Sequence, residues 1–167
     1  MTVKQFVQAY LPFARQTEKK TGISALAILA QAAVESGWGK VAPGNMFFGI
    51  KDTDGINGNE QLLTTTEYTR TAKNPMPVAI SSTPVIRNGV KMFKHIGKDY
   101  FRKYNSPEES FTDHANFFFR NKRYATALTV KADPNKFIDE IAKAGYATAP
   151  NYASVLKDVV KSIAKFV

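Results

Sequence analysis

The spacing of apolar residues divides the chain into helical ends and a middle that is not helical. Apolar side chains recur every three or four residues in five stretches, as expected for helices with one buried face. The predicted helices run from Thr2 to Lys20, from Ala25 to about Ser36, from Ser106 through Phe118, from Asp133 to Gly145, and from after Pro150 through Ile163.

Residues that typically cap or stop helices support these helix boundaries. Thr2 and Gln5 fit a capping box, Gly22 is a suitable stop, and Ser24 is a suitable cap for the second helix. Pro12 predicts a kink in the first helix or a later start, because proline lacks the N–H that a helix interior needs.

The middle of the chain predicts a small, irregular β lobe at about residues 45–100. Residues 62–69 are rich in β-branched side chains and read as a strand, with short partners near 78–80 and 85–86. Pro75, Pro77 and Pro84 place the later segments at sheet edges or in loops. We therefore expect an α+β fold in one domain, 1–167, with a substrate cleft between a mainly helical lobe and the β lobe.

The amino-acid composition limits the kinds of catalysis and the partners that the protein can have. The chain has no cysteine, so thiolate catalysis, thiolate metal ligation and disulfides are excluded. Its two histidines, His95 and His114, are far apart and lack a carboxylate pattern, so we expect neither a metal nor a cofactor. The net charge of +9 favours polyanionic partners. Lysine and arginine are spread along the chain rather than gathered in a nucleic-acid motif, so no nucleic-acid partner is predicted.

The N-terminal residues lack the apolar core and cleavage site of a secretory signal, and no apolar run approaches the roughly 20 residues of a membrane span. The sequence thus predicts a monomer made in the cytoplasm without a signal peptide and without membrane insertion. If the protein acts on a cell wall, in the periplasm or outside the cell, it would reach that wall after release or export.

Glu35 is the most conspicuous candidate for chemistry. It ends an apolar, alanine-rich helix and precedes a Ser-Gly-Trp-Gly turn that holds Trp38, the only tryptophan. The helix dipole and apolar neighbours such as Val34 would raise the pKa of this carboxyl, as a catalytic acid requires. The structural alternative is a glutamate that caps or forms a salt bridge at a helix end.

Several motifs occur in one order along residues 3 to 163, and together they resemble the glycoside hydrolase family 73 glucosaminidases, which include flagellar muramidase-like domains and bacterial autolysins. The motifs are Ala-Gln-Ala-Ala-Val-Glu-Ser-Gly-Trp-Gly at 30–39, Asn-Met-Phe-Phe-Gly-Ile-Lys at 45–51, Thr-Thr-Glu-Tyr at 65–68, Phe-Arg-Lys-Tyr at 101–104 leading to Glu-Ser-Phe-Thr-Asp-His at 109–114, and Ala-Gly-Tyr-Ala-Thr at 144–148 ahead of Pro-Asn-Tyr-Ala at 150–153.

The resemblance implies a lysozyme-like fold and cleavage of β-1,4 bonds in the glycan strand of peptidoglycan, usually on the N-acetylglucosamine side. It implies Glu35 as the general acid, Glu67 as the second carboxylate and Tyr146 as a catalytic-site tyrosine. The expected substrate-binding residues are Trp38, Asn45, Phe48, Tyr68 and Tyr152.

Other interpretations remain open. Asp52, Asp54 and Glu60 are rival second carboxylates. The same fold can serve a muramidase, a lytic transglycosylase, or a wall-binding or assembly module without activity. The chain also departs from the family pattern. Met46 replaces an expected asparagine, Ala149 replaces an aspartate expected to cap the last helix, and the stretch from about 73 to 99 is longer than usual.

Overall fold

The computed structural model describes residues 1–167 and divides into two units. The helical unit comprises Met1–Phe48 with Tyr104–Val167, and the sheet unit comprises Gly49–Lys103. The helices are α1 (Val3–Thr21), α2 (Ala25–Glu35), α3 (Pro107–Arg120), α4 (Ala125–Thr129), α5 (Pro134–Lys143) and α6 (Tyr152–Ala164), with 3-10 turns at Pro43–Asn45 and Lys122–Tyr124. The strands are β1 (Glu60–Thr69), β2 (Val78–Arg87) and β3 (Val90–Arg102).

The ends of α1 follow the sequence signals. Thr2 and Gln5 form the capping box, and Gly22 ends the helix with a left-handed φ of 76°. The helix continues through Pro12, so the alternative of a later start is wrong. Ser24 does occupy the N-cap of α2, but its side chain makes no capping bond. The Ala25 N–H donates instead to Glu18 Oε1 at 3.0 Å, so α1 supplies the cap of α2.

The core of the helical unit surrounds α2. Eight of the eleven residues of this helix are buried, and α1, α3, α5 and α6 all pack against it. Small alanine side chains allow these neighbours to approach closely. Larger apolar side chains complete the core, each contributing roughly 1.5–3 kcal/mol by leaving water. The fully buried ones include Phe6, Ile28, Phe111, Phe118 and Leu156.

The sheet unit is an antiparallel sheet with the strand order β1-β3-β2. Its central strand, β3, has no counterpart among the strands predicted from sequence. The two short partners predicted at 78–80 and 85–86 are one continuous strand, β2, with an irregularity between Ala79 and Ser81. Pro84 lies in this edge strand, where the missing N–H costs no central ladder bond.

The start of α6 differs from the expectation drawn from Ala149. Asn151 occupies the N-cap, so Ala149 lies two residues earlier and its carbonyl accepts from the Tyr152 N–H at 3.1 Å. The Asn151 side chain makes no capping bond. An aspartate at 149 would therefore not stand at the N-cap of this helix.

Candidate active site

Glu35 is the last residue of α2, and its carboxyl is accessible to water. It takes part in no hydrogen bond or ion pair within the protein. Surrounding protein atoms nevertheless disfavour its charged form, and this partial burial raises the pKa of the Glu35 carboxyl. The alternative of a glutamate fixed by a cap or salt bridge does not describe this side chain. An unpaired carboxyl with a raised pKa can hold and release a proton.

The turn after Glu35 has an unusual backbone. Gly37, Trp38 and Gly39 have φ values of 57°, 60° and 76°, three left-handed residues in succession. Trp38 has a Cβ, so this conformation costs roughly 1–2 kcal/mol. Its ring packs edge-on against Phe6 with centroids 5.4 Å apart, and the side chain stays half-buried. Part of the indole therefore remains open beside Glu35.

Tyr146 and Tyr152 are the polar neighbours of Glu35. Gly145, with a φ of 81°, turns the chain after α5, and the Tyr146 N–H donates to the Ile141 carbonyl at 3.0 Å. The two tyrosine rings lie 5.5 Å apart. Burial is the main cause that raises the pKa of both phenols, and the Glu35 charge adds to it. Both hydroxyls are therefore neutral donors at physiological pH.

A buried chain of hydrogen bonds supports Tyr152. Gln31 Nε2 donates to the Tyr152 hydroxyl at 3.2 Å, which leaves Gln31 Oε1 to accept from His114 Nε2 at 3.2 Å. Gln31 is 1% exposed and His114 is 4% exposed. Burial lowers the pKa of His114 to about 3, partly offset by the charge of Asp113, so the imidazole is neutral with its proton on Nε2.

Phe48 and Asn45 have structural partners. The Phe48 ring stacks on His114 at 3.6 Å with 8° between the planes. Being 3% exposed, Phe48 offers almost no surface to a sugar, so we assign it to the support of His114. Asn45 Nδ2 donates to the Tyr104 carbonyl at 3.0 Å, and Asn45 has a left-handed φ of 55°. This bond joins the two segments of the helical unit.

Glu67 lies in the sheet unit, near the C-terminal end of β1. Lys51 Nζ contacts Glu67 Oε1 at 2.6 Å and Asp99 Oδ2 at 2.8 Å. The two carboxylates raise the pKa of Lys51, chiefly through Asp99. Glu67 is one-third exposed, so it is held by a partner yet reachable from solvent.

The rival carboxylates organise the loop before β1. Asp54 accepts from the Ile56 N–H at 2.8 Å and from Asn59 Nδ2 at 3.0 Å, and these bonds lower the pKa of Asp54. Glu60 accepts from the Gly58 N–H at 2.6 Å. Asp52 lies 3.9 Å from Arg102, and burial followed by the charge of Asp54 raises its pKa.

The structure therefore brings together Glu35, Tyr146 and Tyr152 within the helical unit, with Trp38 in the adjoining turn. Tyr68 does not share a sheet face with Glu67, because neighbouring residues of a strand project to opposite faces. Sequence reasoning missed Gln31 and treated His114 only as a structural residue. A signal for Gln31 was present. A glutamine in an alanine-rich helix, four residues before Glu35, lies on the same helical face.

Neither histidine belongs to a metal site. No group of three or more His, Asp or Glu side chains is arranged to hold a metal ion. His95 is fully buried in the sheet unit, with Nδ1 2.7 Å from Ser82 Oγ and Nε2 2.8 Å from Thr69 Oγ1. These bonds account for both ring nitrogens.

A helical unit with a small three-stranded sheet, and a glutamate at the end of a buried helix beside two tyrosines, define a lysozyme-like glycoside hydrolase. The chain matches the family model described as "Glucosaminidase: Mannosyl-glycoprotein endo-beta-N-acetylglucosaminidase" over residues 11–165, and it belongs to this family. The resemblance drawn from its motifs is confirmed, as is the α+β, lysozyme-like fold.

Solved structures and curated relatives agree with this assignment. The C-terminally truncated glycoside hydrolase domain of Salmonella typhimurium FlgJ is 30% identical, with a TM-score of 0.73, covering 99% of this chain and 100% of that one. The peptidoglycan hydrolase FlgJ of Pseudomonas aeruginosa is 32% identical over 166 residues, which are 95% of this chain and 36% of that protein. An autolysin of Enterococcus faecalis is 30% identical, and 19% of its length is matched. The chain thus spans about a third of the Pseudomonas relative.

Proposed function

We propose that residues 1–167 form a single catalytic domain that hydrolyses β-1,4 glycosidic bonds in the glycan strand of peptidoglycan, as an endo-β-N-acetylglucosaminidase. Membership of the glucosaminidase family supports the bond type. The names of the relatives, peptidoglycan hydrolase and autolysin, support the substrate. The protein acts on the cell wall as a monomer, without inserting into a membrane. None of its helices is both long and apolar enough to cross a bilayer.

Glu35 is the general acid in this proposal. The observation that carries it is an accessible carboxyl with a raised pKa and no competing partner, next to two neutral phenols. Glu35 donates its proton to the glycosidic oxygen as the bond from that oxygen to the anomeric carbon breaks. Positive charge then develops on the sugar ring, and the carboxylate left on Glu35 stabilises it.

Tyr146 and Tyr152 orient the reacting sugar. The Tyr152 oxygen accepts from Gln31, so the Tyr152 proton is free to point towards Glu35 or a substrate oxygen. Such a donor suits the N-acetyl carbonyl or the oxygen of an intermediate. Trp38 offers a ring face for sugar stacking, and Asn45 shapes the adjoining loop.

Glu67 is the second carboxylate. It activates the attacking water, and Lys51 holds it in place while substrate binds. Water attack at the anomeric carbon and transfer of a proton to Glu67 complete hydrolysis. A lytic transglycosylase reaction is the second candidate. Two observations favour it: Lys51 engages Glu67 in an ion pair, and Glu35 has no competing partner. A lytic transglycosylase needs only one carboxyl.

The Glu35→Gln variant tests the acid assignment. Its neutral amide keeps the side-chain shape but has no acidic proton, so cleavage of purified peptidoglycan is expected to fall by about 10²-fold or more. Glu140→Gln is the matched control, because Glu140 forms a surface pair with Lys143 at 2.6 Å and should retain full activity. Wild-type rates in Glu35→Gln would exclude Glu35 as the acid.

Mass analysis of the released fragments tests the bond. Reducing N-acetylglucosamine ends support the main proposal. Reducing N-acetylmuramic acid ends indicate a muramidase, and anhydro ends indicate a lytic transglycosylase. Retention on peptidoglycan without any release indicates a wall-binding or assembly module.

A further inference from the structure

The distribution of charge along the sheet unit is strongly one-sided. Between Tyr68 and Lys98 there are six basic residues and no acidic one. The basic residues are Arg70, Lys73, Arg87, Lys91, Lys94 and Lys98. The chain as a whole disperses its cations, but this segment does not.

The strand register gathers four of these cations on one face of the sheet. Lys94 pairs with Tyr68 of β1 and with Thr83 of β2, and Lys98 lies four residues further along β3 on the same face. Arg87 belongs to this face as well, because its guanidinium lies over the Tyr68 ring at 4.2 Å. Arg70 follows the end of β1 and lines one cavity with Tyr68 and Arg87, so it completes the group, which we call the basic face.

Part of the basic face is concave. A cavity of about 320 Å³ is lined by Tyr68, Arg70, Arg87, Asn88, Val90 and Met92. Arg70, Arg87, Lys94 and Lys98 form no ion pair within the protein. Glu67 projects from the opposite face, where Lys51 binds it. The basic face therefore presents positive charge that the protein itself does not neutralise.

We propose that the basic face binds the carboxylates of the peptide branches carried by peptidoglycan. This inference rests on the proposed function, which supplies the substrate. The planar forks of Arg70 and Arg87 match carboxylate geometry, and Lys94 and Lys98 extend the positive field along the strand. The Tyr68 ring, 37% exposed, provides a surface for the branch itself. The sheet thus recognises the peptide-bearing part of the polymer at a surface other than the Glu67 face.

The basic face carries hydroxyl and apolar side chains as well as cations. Thr64 and Thr83 lie directly beside its lysines in the strand register, and their hydroxyls can donate to the same carboxylate oxygens that the cations attract. Leu62, Val78 and Val90, which are 41%, 40% and 40% exposed, belong to the same face. Because apolar and basic side chains share this face, an anionic bilayer is the competing partner, and the vesicle comparison below tests it.

Co-sedimentation with purified peptidoglycan tests this inference. All proteins carry Glu35→Gln so that the polymer stays intact, and binding is compared on intact peptidoglycan and on glycan strands freed of peptides by an amidase. The paired changes Arg70→Gln with Arg87→Gln, and separately Lys94→Gln with Lys98→Gln, are expected to weaken binding to intact peptidoglycan about three- to tenfold, because exposed charge contacts are individually modest. Binding to peptide-free strands should change less than about twofold.

The control is Lys4→Gln with Lys19→Gln, which removes the same charge from exposed cations of α1 that make no ion pair. It should bind both polymers as the parent does. An equal loss in the control, an equal loss on peptide-free strands, or unchanged binding by both test pairs would each overturn the proposal. So would tighter binding to vesicles of equal parts phosphatidylglycerol and phosphatidylcholine than to intact peptidoglycan. Thermal unfolding confirms that each variant is folded, and two separate pairs keep the test valid if one pair fails to fold.

The assay separates this inference from the proposed function because it measures binding alone. A wild-type protein that cleaves no peptidoglycan, with the selective loss seen in the test pairs, would remove the hydrolase assignment and keep the basic face. A protein that cleaves peptidoglycan, with test pairs that bind normally, would keep the hydrolase assignment and remove the basic face as a binding site.

Discussion

In the proposed mechanism, the acid Glu35 lies one helical turn from a buried chain of hydrogen bonds through Gln31. Gln31 and Glu35 share a face of α2, and Gln31 joins the neutral His114 to Tyr152. Removing a buried partner leaves its neighbour unsatisfied at a cost of roughly 1–3 kcal/mol. Gln31 is therefore a positioning residue: it touches no reacting atom in the proposed mechanism and acts through the Tyr152 hydroxyl.

The change Gln31→Met tests this role. Methionine keeps most of the volume but cannot orient Tyr152, so kcat is expected to fall about tenfold with little change in KM. The changes Gln31→Met and Tyr152→Phe should be non-additive in a double-mutant cycle of kcat values, because both remove the same oriented hydroxyl. Fully additive losses would show that Gln31 does not act through Tyr152.

His114 makes the stability of the protein depend on pH. Its pKa is lowered from 6.5 to about 3 in the folded state, so the unfolded chain binds an extra proton between these values. Stability is therefore fully present above about pH 6.5 and is lost as the pH falls, by about 1.4 kcal/mol per pH unit. Urea unfolding from pH 7 to pH 4 measures the slope. The slope should be shallower by this amount in His114→Gln, and equal slopes would contradict a neutral buried imidazole.

At the residue scale, residue type and position in the sequence pointed to candidate groups for the chemistry. Glu35 stood out as a carboxyl ending an apolar helix, and Tyr146 as an aromatic after a helix-ending glycine. The bond from Gln31 to His114 joins residues 83 positions apart. Local spacing could mark Gln31 as unusual, but only the packing of α2 on α3 shows its partner.

Gly97 is the tightest point of the central strand. A Cβ at this position would lie 2.5 Å from the Val78 carbonyl oxygen and 2.9 Å from Met76 Sδ. The change Gly97→Ala is therefore expected to destabilise the protein by about 1–3 kcal/mol, as overpacking against backbone usually does. Chemical denaturation followed by circular dichroism measures the loss.

The control for this strand is Gly49→Ala. A Cβ at position 49 meets no atom within 4 Å, and its φ is not left-handed, so the effect should stay within about 0.5 kcal/mol. A destabilisation by Gly97→Ala no larger than that of the control would show that β2 and the loop before it move aside at little cost.

At the element scale, helices were predictable because their ends carry local signals. Thr2 with Gln5, Ser106 and Asp133 all receive the backbone bonds expected of caps. The strand β3 was not predictable, because glycine at position 97 and charged side chains on both faces break the simple alternation of a half-buried strand. The polar run Ser81–Thr83 and Pro84 likewise made one edge strand look like two. These segments form strands because they pair with neighbouring strands, and no local sequence pattern indicates that pairing.

At the scale of the whole molecule, folding changes the meaning of the net charge. A value of +9 with dispersed cations specifies no partner. The strand register then places Arg87, Lys94 and Lys98 on one face, while Lys51 and Arg102 are engaged with carboxylates. Register is a long-range property, so the sequence revealed the surplus and not its distribution in space.

The helical unit is discontinuous in sequence, yet it closes on itself where the sheet unit is inserted. The Tyr104 N–H donates to the Gly44 carbonyl at 2.8 Å, and Asn45 Nδ2 donates to the Tyr104 carbonyl at 3.0 Å. Its core residues, including Phe6, Phe47 and Phe111, all belong to the two helical segments. The elements needed to bury that core are therefore present without residues 49–103.

Replacing residues 49–103 by a short Gly-Ser linker is thus expected to give a folded, helical protein without glycosidase activity. Far-ultraviolet circular dichroism should show helix without a sheet contribution, and thermal unfolding should remain cooperative. The same protein carrying Asn45→Ala should unfold at a lower temperature. Its free energy of unfolding should be smaller by roughly 1 kcal/mol, because one of the two hydrogen bonds that close the insertion point is lost. A disordered or aggregated product would show that the helical unit needs the sheet in order to fold, and that the inserted residues contribute to its stability as well as to its chemistry.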